Sequence, residues 1–188
     1  MVSVVTNRNR HGFEPLIADM HRDRKRVFVD ALKWNVPVVD DVFEIDQFDT
    51  SAAVYLIDAD LRAACHRGSV RLLPTTGPHL LGEVFPHLCA SSVPVGPTVW
   101  EITRLCTSPS LVDRTAARDV RRRVSIAMIE FALLYGLDRL VFVTHAAWVP
   151  EIIAIGWDIE PLGLPQRVGD GVTALAINVT PATLALLR

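Results

Sequence analysis

The chain has 188 residues, 50% of them hydrophobic and 21% charged, with a formal net charge of −2. That length suits one domain with a substantial core, and the composition excludes a disordered or low-complexity protein. The small net charge excludes a global field that would draw nucleic acid or anionic lipid to the molecule.

The N-terminal stretch MVSVVTNRNRHGFEP lacks the apolar core of a signal peptide. No apolar run approaches the roughly 20 residues of a membrane span, so a cytoplasmic protein is expected, with residues 1–188 forming a single domain. Residues 14–33 place Leu16, Met20, Val27, Phe28, Ala31 and Leu32 near helical spacing with charges between them, which predicts one or two amphipathic helices. Pro37 breaks that pattern. The acidic stretch DDVFEIDQFD, 40–49, then leads into AAVYLID, 52–58, whose apolar and β-branched residues predict a strand.

Further strands are predicted at 69–73, 98–105, 139–144 and 172–179. Helices are predicted at 114–135 and, with Pro150 near its start, at 147–156. Early strands follow one another through short turns and later ones alternate with helices. That order favours a mixed α/β sheet flanked by helices over a doubly wound parallel sheet.

Cys65, Cys89 and Cys106 are odd in number, lie far apart and match no zinc spacing, so they read as buried small residues. The six histidines are equally scattered, and no nucleophile elbow is present. No metal site is expected.

The run RLLPTTGPHLL, 71–81, sets an arginine into a stretch that should be a buried strand. A guanidinium cannot shed its charge, so burying Arg71 requires carboxylates beside it. Asp46 and Asp49 bracket the DQFD turn, and VWEITRL brings Glu101 and Arg104 into another apolar strand. Arg24 and Phe28 are four apart on the first helical segment, with Trp34 just beyond. Taken singly, each charge reads as a solvated surface residue. Together, three acids and three arginines read as one network lining a polar cleft.

In a regular strand Glu101 and Arg104 project to opposite faces. For both to reach one cleft the strand must bulge, and an interruption is predicted near Ile102–Arg104. Such a bulge would also offer backbone N–H groups to a developing oxyanion.

At these residues the sequence resembles the acyl-homoserine-lactone synthases, the autoinducer synthases of bacterial quorum sensing. The resemblance is carried by Arg24, Phe28 and Trp34 in RKRVFVDALKW, Asp46 and Asp49 in EIDQFD, and Arg71 in VRLLPTTGPHLL. Phe85 in EVFP and Glu101 and Arg104 in WEITRL complete it. It is dense from about Arg22 to Leu105 and thinner through LVFVTHAAWVPEIIAIGW, and Leu105 departs from the phenylalanine usual in the family.

The resemblance implies a GNAT-like acyltransferase fold: a mixed, mostly antiparallel sheet with a bulged, splayed central strand. It implies S-adenosylmethionine as acyl acceptor, an acyl thioester on acyl carrier protein or coenzyme A as donor, and no bound cofactor. Glu101 is the candidate base for the amine, and its carboxylate reads equally as an ion-pair partner of Arg104 or Arg71. Arg71 and Arg104 are placed in the catalytic set. Phe28 and Trp34 offer π faces to the sulfonium, Asp46 or Asp49 an anchor for the ammonium, and Arg24 or Arg104 one for the carboxylate.

The resemblance also sets Thr144 at the third acyl carbon, and Phe85 is noted as an acyl-chain candidate whose commoner role is core packing. Arg114, Arg118, Arg121 and Arg122 form a helical stripe that is ordinarily a solvated face and could dock an acidic carrier protein. Two other readings stay open: an acyl-coenzyme A N-acyltransferase acting on another amine, and a noncatalytic acyl-ligand-binding regulator.

Overall fold

The structure is a computed structural model and describes residues 1–164 and 171–187. In chain order the elements are β1 (Val2–Val5), α1 (Glu14–Arg24), a π-helix (Lys25–Ala31), β2 (Val38–Val39), β3 (Phe43–Glu44), β4 (Val54–Asp60) and β5 (Cys65–Pro74). They continue with α2 (Leu80–Glu83), β6 (Val99–Thr107), α3 (Arg114–Leu134), β7 (Arg139–His145), α4 (Val149–Ile153), β8 (Ile159–Pro161), β9 (Val172–Asn178) and α5 (Pro181–Ala185).

A seven-stranded sheet has the order β1-β4-β5-β6-β7-β9-β8, and β2 and β3 form a separate two-stranded ribbon. The pairs β1–β4, β7–β9 and β8–β9 are antiparallel, while β6 and β7 run parallel. A mixed, mostly antiparallel sheet with helices is therefore what forms. The strands β1, β2, β3 and β8 lie outside the predicted set, being too short for alternation to register.

The chain divides into two compact units, Met1–Arg71 with Arg104–Ala127, and Leu72–Thr103 with Met128–Arg188. In the first unit, Leu16, Met20 and Phe28 from the N-terminal helices are buried, as are Val54–Ile57 of β4 and Val120 and Val124 of α3. In the second, the side chains of β7 alternate between two buried faces. Val141 joins Leu81, Leu88, Ala174 and Ala176 in one cluster, and Leu140 and Phe142 project from the opposite face.

Helix α3 shows both end signals. Asp113 accepts the Thr115 amide at 2.9 Å as its N-cap. At its far end the Leu137 amide reaches the Ala132 carbonyl at 2.8 Å and Gly136 takes φ +64°, a conformation that glycine enters without strain.

The helical region 14–33 is not one α-helix. It opens with Pro15 in the first turn and Glu14 as the acidic residue there, which suit a helix start, and then widens after Arg24 into the π-helix. Within that π-helix the Leu32 amide bonds five residues back to the Val27 carbonyl at 2.9 Å. Periodicity alone does not distinguish the two windings over so short a stretch.

Of the three cysteines expected to be buried, only Cys106 is fully so, and Cys89 is half-buried. All three are free, but Cys65 is exposed, because it opens β5 immediately after a surface turn. Cys106 is buried, and that burial pushes its thiol up to about 12.

Candidate functional site

Three arginines and three carboxylates in the first unit form a closed ring of alternating charge. Arg24 donates through both terminal nitrogens to the two oxygens of Asp49, each at 2.9 Å, and through Nε to Glu44 at 2.5 Å. Arg104 donates from Nε and Nη2 to the other Glu44 oxygen at 3.0 and 2.8 Å, and Nη2 also lies 2.8 Å from Asp46. Arg71 takes both Asp46 oxygens at 2.6 and 2.9 Å and closes the ring on Asp49 at 2.8 Å.

The ring is built from four elements. Arg24 ends α1, Glu44 ends β3 with Asp46 and Asp49 in the turn behind it, and Arg71 lies in β5, with Arg104 contributed by β6. The turn is held by its own carboxylates: Asp46 accepts the Phe48 amide and Asp49 the Asp46 amide, each at 2.9 Å. Tyr55 Oη adds a donor to Asp49 at 2.8 Å.

Burial penalises every one of these charges, and pairing outweighs it. Burial pushes the Asp49 carboxyl up, yet Arg24 and Arg71 hold it well below the usual carboxylate range. Asp46 is likewise held low, against burial, by Arg71 and Arg104. Burial works against the charge of Arg24 and Arg71 too, but their acidic partners keep both above the usual arginine value. The Tyr55 hydroxyl is driven up by burial and by Asp49. His21, whose Nδ1–H donates to the Glu44 carbonyl at 2.8 Å, is lowered to about 4 by burial and by Arg24.

An aromatic pair adjoins the ring. Phe28 and Trp34 stack at 4.9 Å with their planes 12° apart, and the Arg104 guanidinium lies 5.6 Å from the Phe28 ring. The Trp34 amide donates to the Phe28 carbonyl at 2.8 Å, so the chain leaving the π-helix is folded back upon it.

Glu101 is completely buried in the second unit. Its Oε2 accepts the Leu80 amide at 2.8 Å and Oε1 the Leu81 amide at 2.6 Å. The ring includes Glu44, which the sequence reading does not single out. Glu44 and Asp46 are two apart, a spacing that puts both on one side of an extended segment, and this was the available signal for it.

The break in β6 falls where the sequence predicts it. Parallel pairing with β7 is regular from Val99 to Ile102. Arg104 then takes φ +53°, a left-handed conformation that costs a non-glycine residue about 1–2 kcal/mol. That turn of the backbone breaks the strict alternation of the strand.

Thr144 and Phe85 are not brought to one face. Phe85 packs on the cluster with Val141 and Val143, whereas Thr144 alternates to the other side of β7, buried and opposite Thr173 of β9. Arg114, Arg118 and Arg121 line a surface groove of about 410 Å³ together with Leu111, Thr115 and Ala117. Arg122 is exposed and is not part of that lining. Among the described residues no group of three or more His, Cys, Asp or Glu side chains is placed to hold a metal ion, and no helix is long and apolar enough to cross a membrane.

The family model for autoinducer synthase matches residues 10–182. The chain belongs to the autoinducer synthase family. A relative from Pseudomonas aeruginosa, an acyl-homoserine-lactone synthase, is 34% identical over 167 residues, 87% of this chain and 78% of its own length. A solved coenzyme A-dependent acyl-homoserine lactone synthase with S-adenosylmethionine and isopentyl-coenzyme A has a TM-score of 0.90 and 29% identity, covering 100% of this chain and 87% of that one. An acyl-coenzyme A N-acyltransferase from Pseudomonas aeruginosa, at 12% identity, shares the fold with a TM-score of 0.59 over 94% of this chain and 97% of its own. The synthase thus has the GNAT-like acyltransferase fold.

Proposed function

We propose that residues 1–188 act as one catalytic domain that transfers an acyl group to S-adenosylmethionine and releases an acyl-homoserine lactone. The observation that carries this reading is the likeness over the whole chain to a synthase solved with S-adenosylmethionine and an acyl-coenzyme A. In the first step the methionyl amine attacks the thioester carbonyl. The amide forms, the thiol leaves, and the amine proton passes to a base. In the second, the substrate carboxylate attacks the carbon bonded to sulfur, closing the lactone as methylthioadenosine departs.

Glu101 is the base. Two amide bonds orient its carboxylate, which takes the amine proton directly or through a water. Of the three ring arginines, Arg104 has the most exposed side chain, at 7% against 1% for Arg24 and 0% for Arg71. That exposure supports Arg104 as the partner of the substrate carboxylate, with Arg24 and Arg71 keeping Asp46 and Asp49 ionised to meet the ammonium. Phe28 and Trp34 offer the sulfonium a π surface. Lactonisation asks mainly for positioning, because the sulfonium is already a good leaving group.

Thr144 and Phe85 remain the acyl-chain candidates, the first with a hydroxyl able to meet a polar group on the third carbon. The arginine-lined groove suits an acidic acyl carrier protein, while coenzyme A is the alternative carrier. The cytoplasm is the location that goes with this reading. The test is incubation of the purified protein with S-adenosylmethionine and acyl thioesters on carrier protein and on coenzyme A. Methylthioadenosine should appear together with lactone for at least one donor. Acylation of the amine without methylthioadenosine would identify an N-acyltransferase, and no product with any donor would leave a ligand-binding protein.

A further inference from the structure

The segment that grips Glu101 carries a histidine that braces its turn. Helix α2 has only four residues, Leu80–Glu83, and a single turn of helix does not persist without support from outside itself. Thr75 supplies some of that support. Its hydroxyl meets the Val99 carbonyl at 2.7 Å and takes the Gly96 amide at 3.1 Å, tying the preceding turn to the start of β6. Leu81 adds more by packing in the cluster with Val141, Ala174 and Ala176, and His79 enters α2 with extended backbone, φ −151° and ψ 157°.

The His79 ring is 95% buried and turns back over its own turn: Nδ1 lies 2.8 Å from the Gly77 carbonyl. A carbonyl can only accept, so Nδ1 carries the proton and Nε2 presents a lone pair. That Nε2 is buried with no hydrogen-bond partner. On its other side the ring lies against Gly82, where a Cβ would come within 2.6 Å of His79 Cε1 and 2.7 Å of Nε2. The imidazole is thus clamped between the Gly77 carbonyl and the Gly82 backbone, on either side of the two amides that bond Glu101. A side chain present only for packing would not leave a buried acceptor unpaired. The Nδ1 donor is what the position requires.

We propose that His79 is a positioning residue for Glu101: through the Gly77 carbonyl it holds the Leu80 and Leu81 amides on the carboxylate. The assignment rests on the reading of Glu101 as the base. Two amide donors favour the ionised carboxylate, so slackening them raises its proton affinity as well as its freedom to rotate.

Four variants of the full chain test this. His79→Asn keeps a donor close to the place of Nδ1, His79→Gln moves it to the place of Nε2, and Gly82→Ala displaces the ring. Glu101→Gln removes the base. The readouts are hydrogen exchange at the Leu80 and Leu81 amides, kcat and KM for S-adenosylmethionine, and the pH profile of kcat/KM. In His79→Gln and Gly82→Ala, exchange should quicken and kcat fall by about tenfold or more, KM should stay within about twofold, and the acid limb should move to higher pH. His79→Asn should restore most of each. Wild-type exchange and acid limb in His79→Gln, or equal damage in His79→Asn and His79→Gln, would overturn the positioning role. If Glu101→Gln turns over at the wild-type rate the base assignment fails, and amide exchange, which needs no turnover, still decides what His79 holds.

Discussion

Arg104 and Glu44 lie 60 positions apart in sequence, yet Arg104 donates to one Glu44 oxygen from both Nε, at 3.0 Å, and Nη2, at 2.8 Å. The other Glu44 oxygen belongs to Arg24 at 2.5 Å. Glu44 therefore closes the ring between two guanidinium groups that would otherwise repel each other in a site with little water to screen them.

Removing that one charge should be costly. Glu44→Gln keeps the shape but leaves Arg24 and Arg104 under-compensated, and loss of one partner from a buried ion network costs about 3–5 kcal/mol. Urea denaturation should show this as a lower midpoint with an unchanged slope. A loss below about 1 kcal/mol, the range of an exposed pair, would mean that the ring is open to water in solution.

Arg104→Lys separates charge from geometry. Lysine keeps the positive charge but loses the planar fork that reaches Glu44 and Asp46 together. KM for S-adenosylmethionine should rise by about tenfold or more, as expected for a lost charge-assisted hydrogen bond, with methylthioadenosine release as the assay. An unchanged KM would remove Arg104 from the carboxylate site.

The Phe28–Trp34 stack invites a comparison of two substitutions. Trp34→Phe keeps a π face and Trp34→Ala does not. Cation–π attraction of about 0.5–2 kcal/mol corresponds to a rise in KM for S-adenosylmethionine of roughly 2- to 30-fold in Trp34→Ala, with most of it spared in Trp34→Phe. Equal KM values in all three proteins would assign the stack to packing alone.

Acid should destabilise the fold in two stages. The His21 value in the folded chain is about 4, below its ordinary 6.5, so between these pH values the unfolded chain binds more protons. Stability should therefore fall as pH drops from 6.5 towards 4, by about 3 kcal/mol from this group. Asp46 and Asp49 are depressed from 3.8, so their contribution is intact above that value and is lost as pH falls below it. His21→Asn, which can still donate to the Glu44 carbonyl, should flatten the first stage and leave the second. Retention of the full slope in that variant would clear His21.

The arginine groove has a salt signature. Replacing Arg114, Arg118 and Arg121 by serine should raise KM for an acyl-carrier-protein donor by about tenfold at low ionic strength while KM for S-adenosylmethionine stays unchanged. Added salt should weaken the wild type towards the variant. If salt leaves the wild-type KM for carrier protein unmoved, the groove is not where the carrier docks.

Legibility in the sequence followed the range of the interaction. Helix α3 was readable because Asp113 and Gly136 mark its ends and its apolar residues recur at helical spacing. The break in β6 was readable from three adjacent facts, Glu101, Arg104 and the period of two between strand faces. The π-helix was not, since widening the helical turn after Arg24 changes no local pattern and is recognised only from the bond between Leu32 and Val27. Glu44 carried no mark of its own, because it reads as one more charge in the acidic run 40–49, and only its place in space joins it to Arg24 and Arg104.

Taken alone, the sequence determined the inventory: which segments alternate or wind, that three arginines sit where a bare charge cannot remain, and which family's motif they spell. Those properties are set by residue type and near neighbours. The tertiary structure alone decided the pairing, because bonds such as Arg24–Asp49 and Arg71–Asp46 each span 25 positions and Arg104–Glu44 spans 60. Chain closure over such distances is governed by how β3, β5 and β6 come together, and no short-range pattern encodes it.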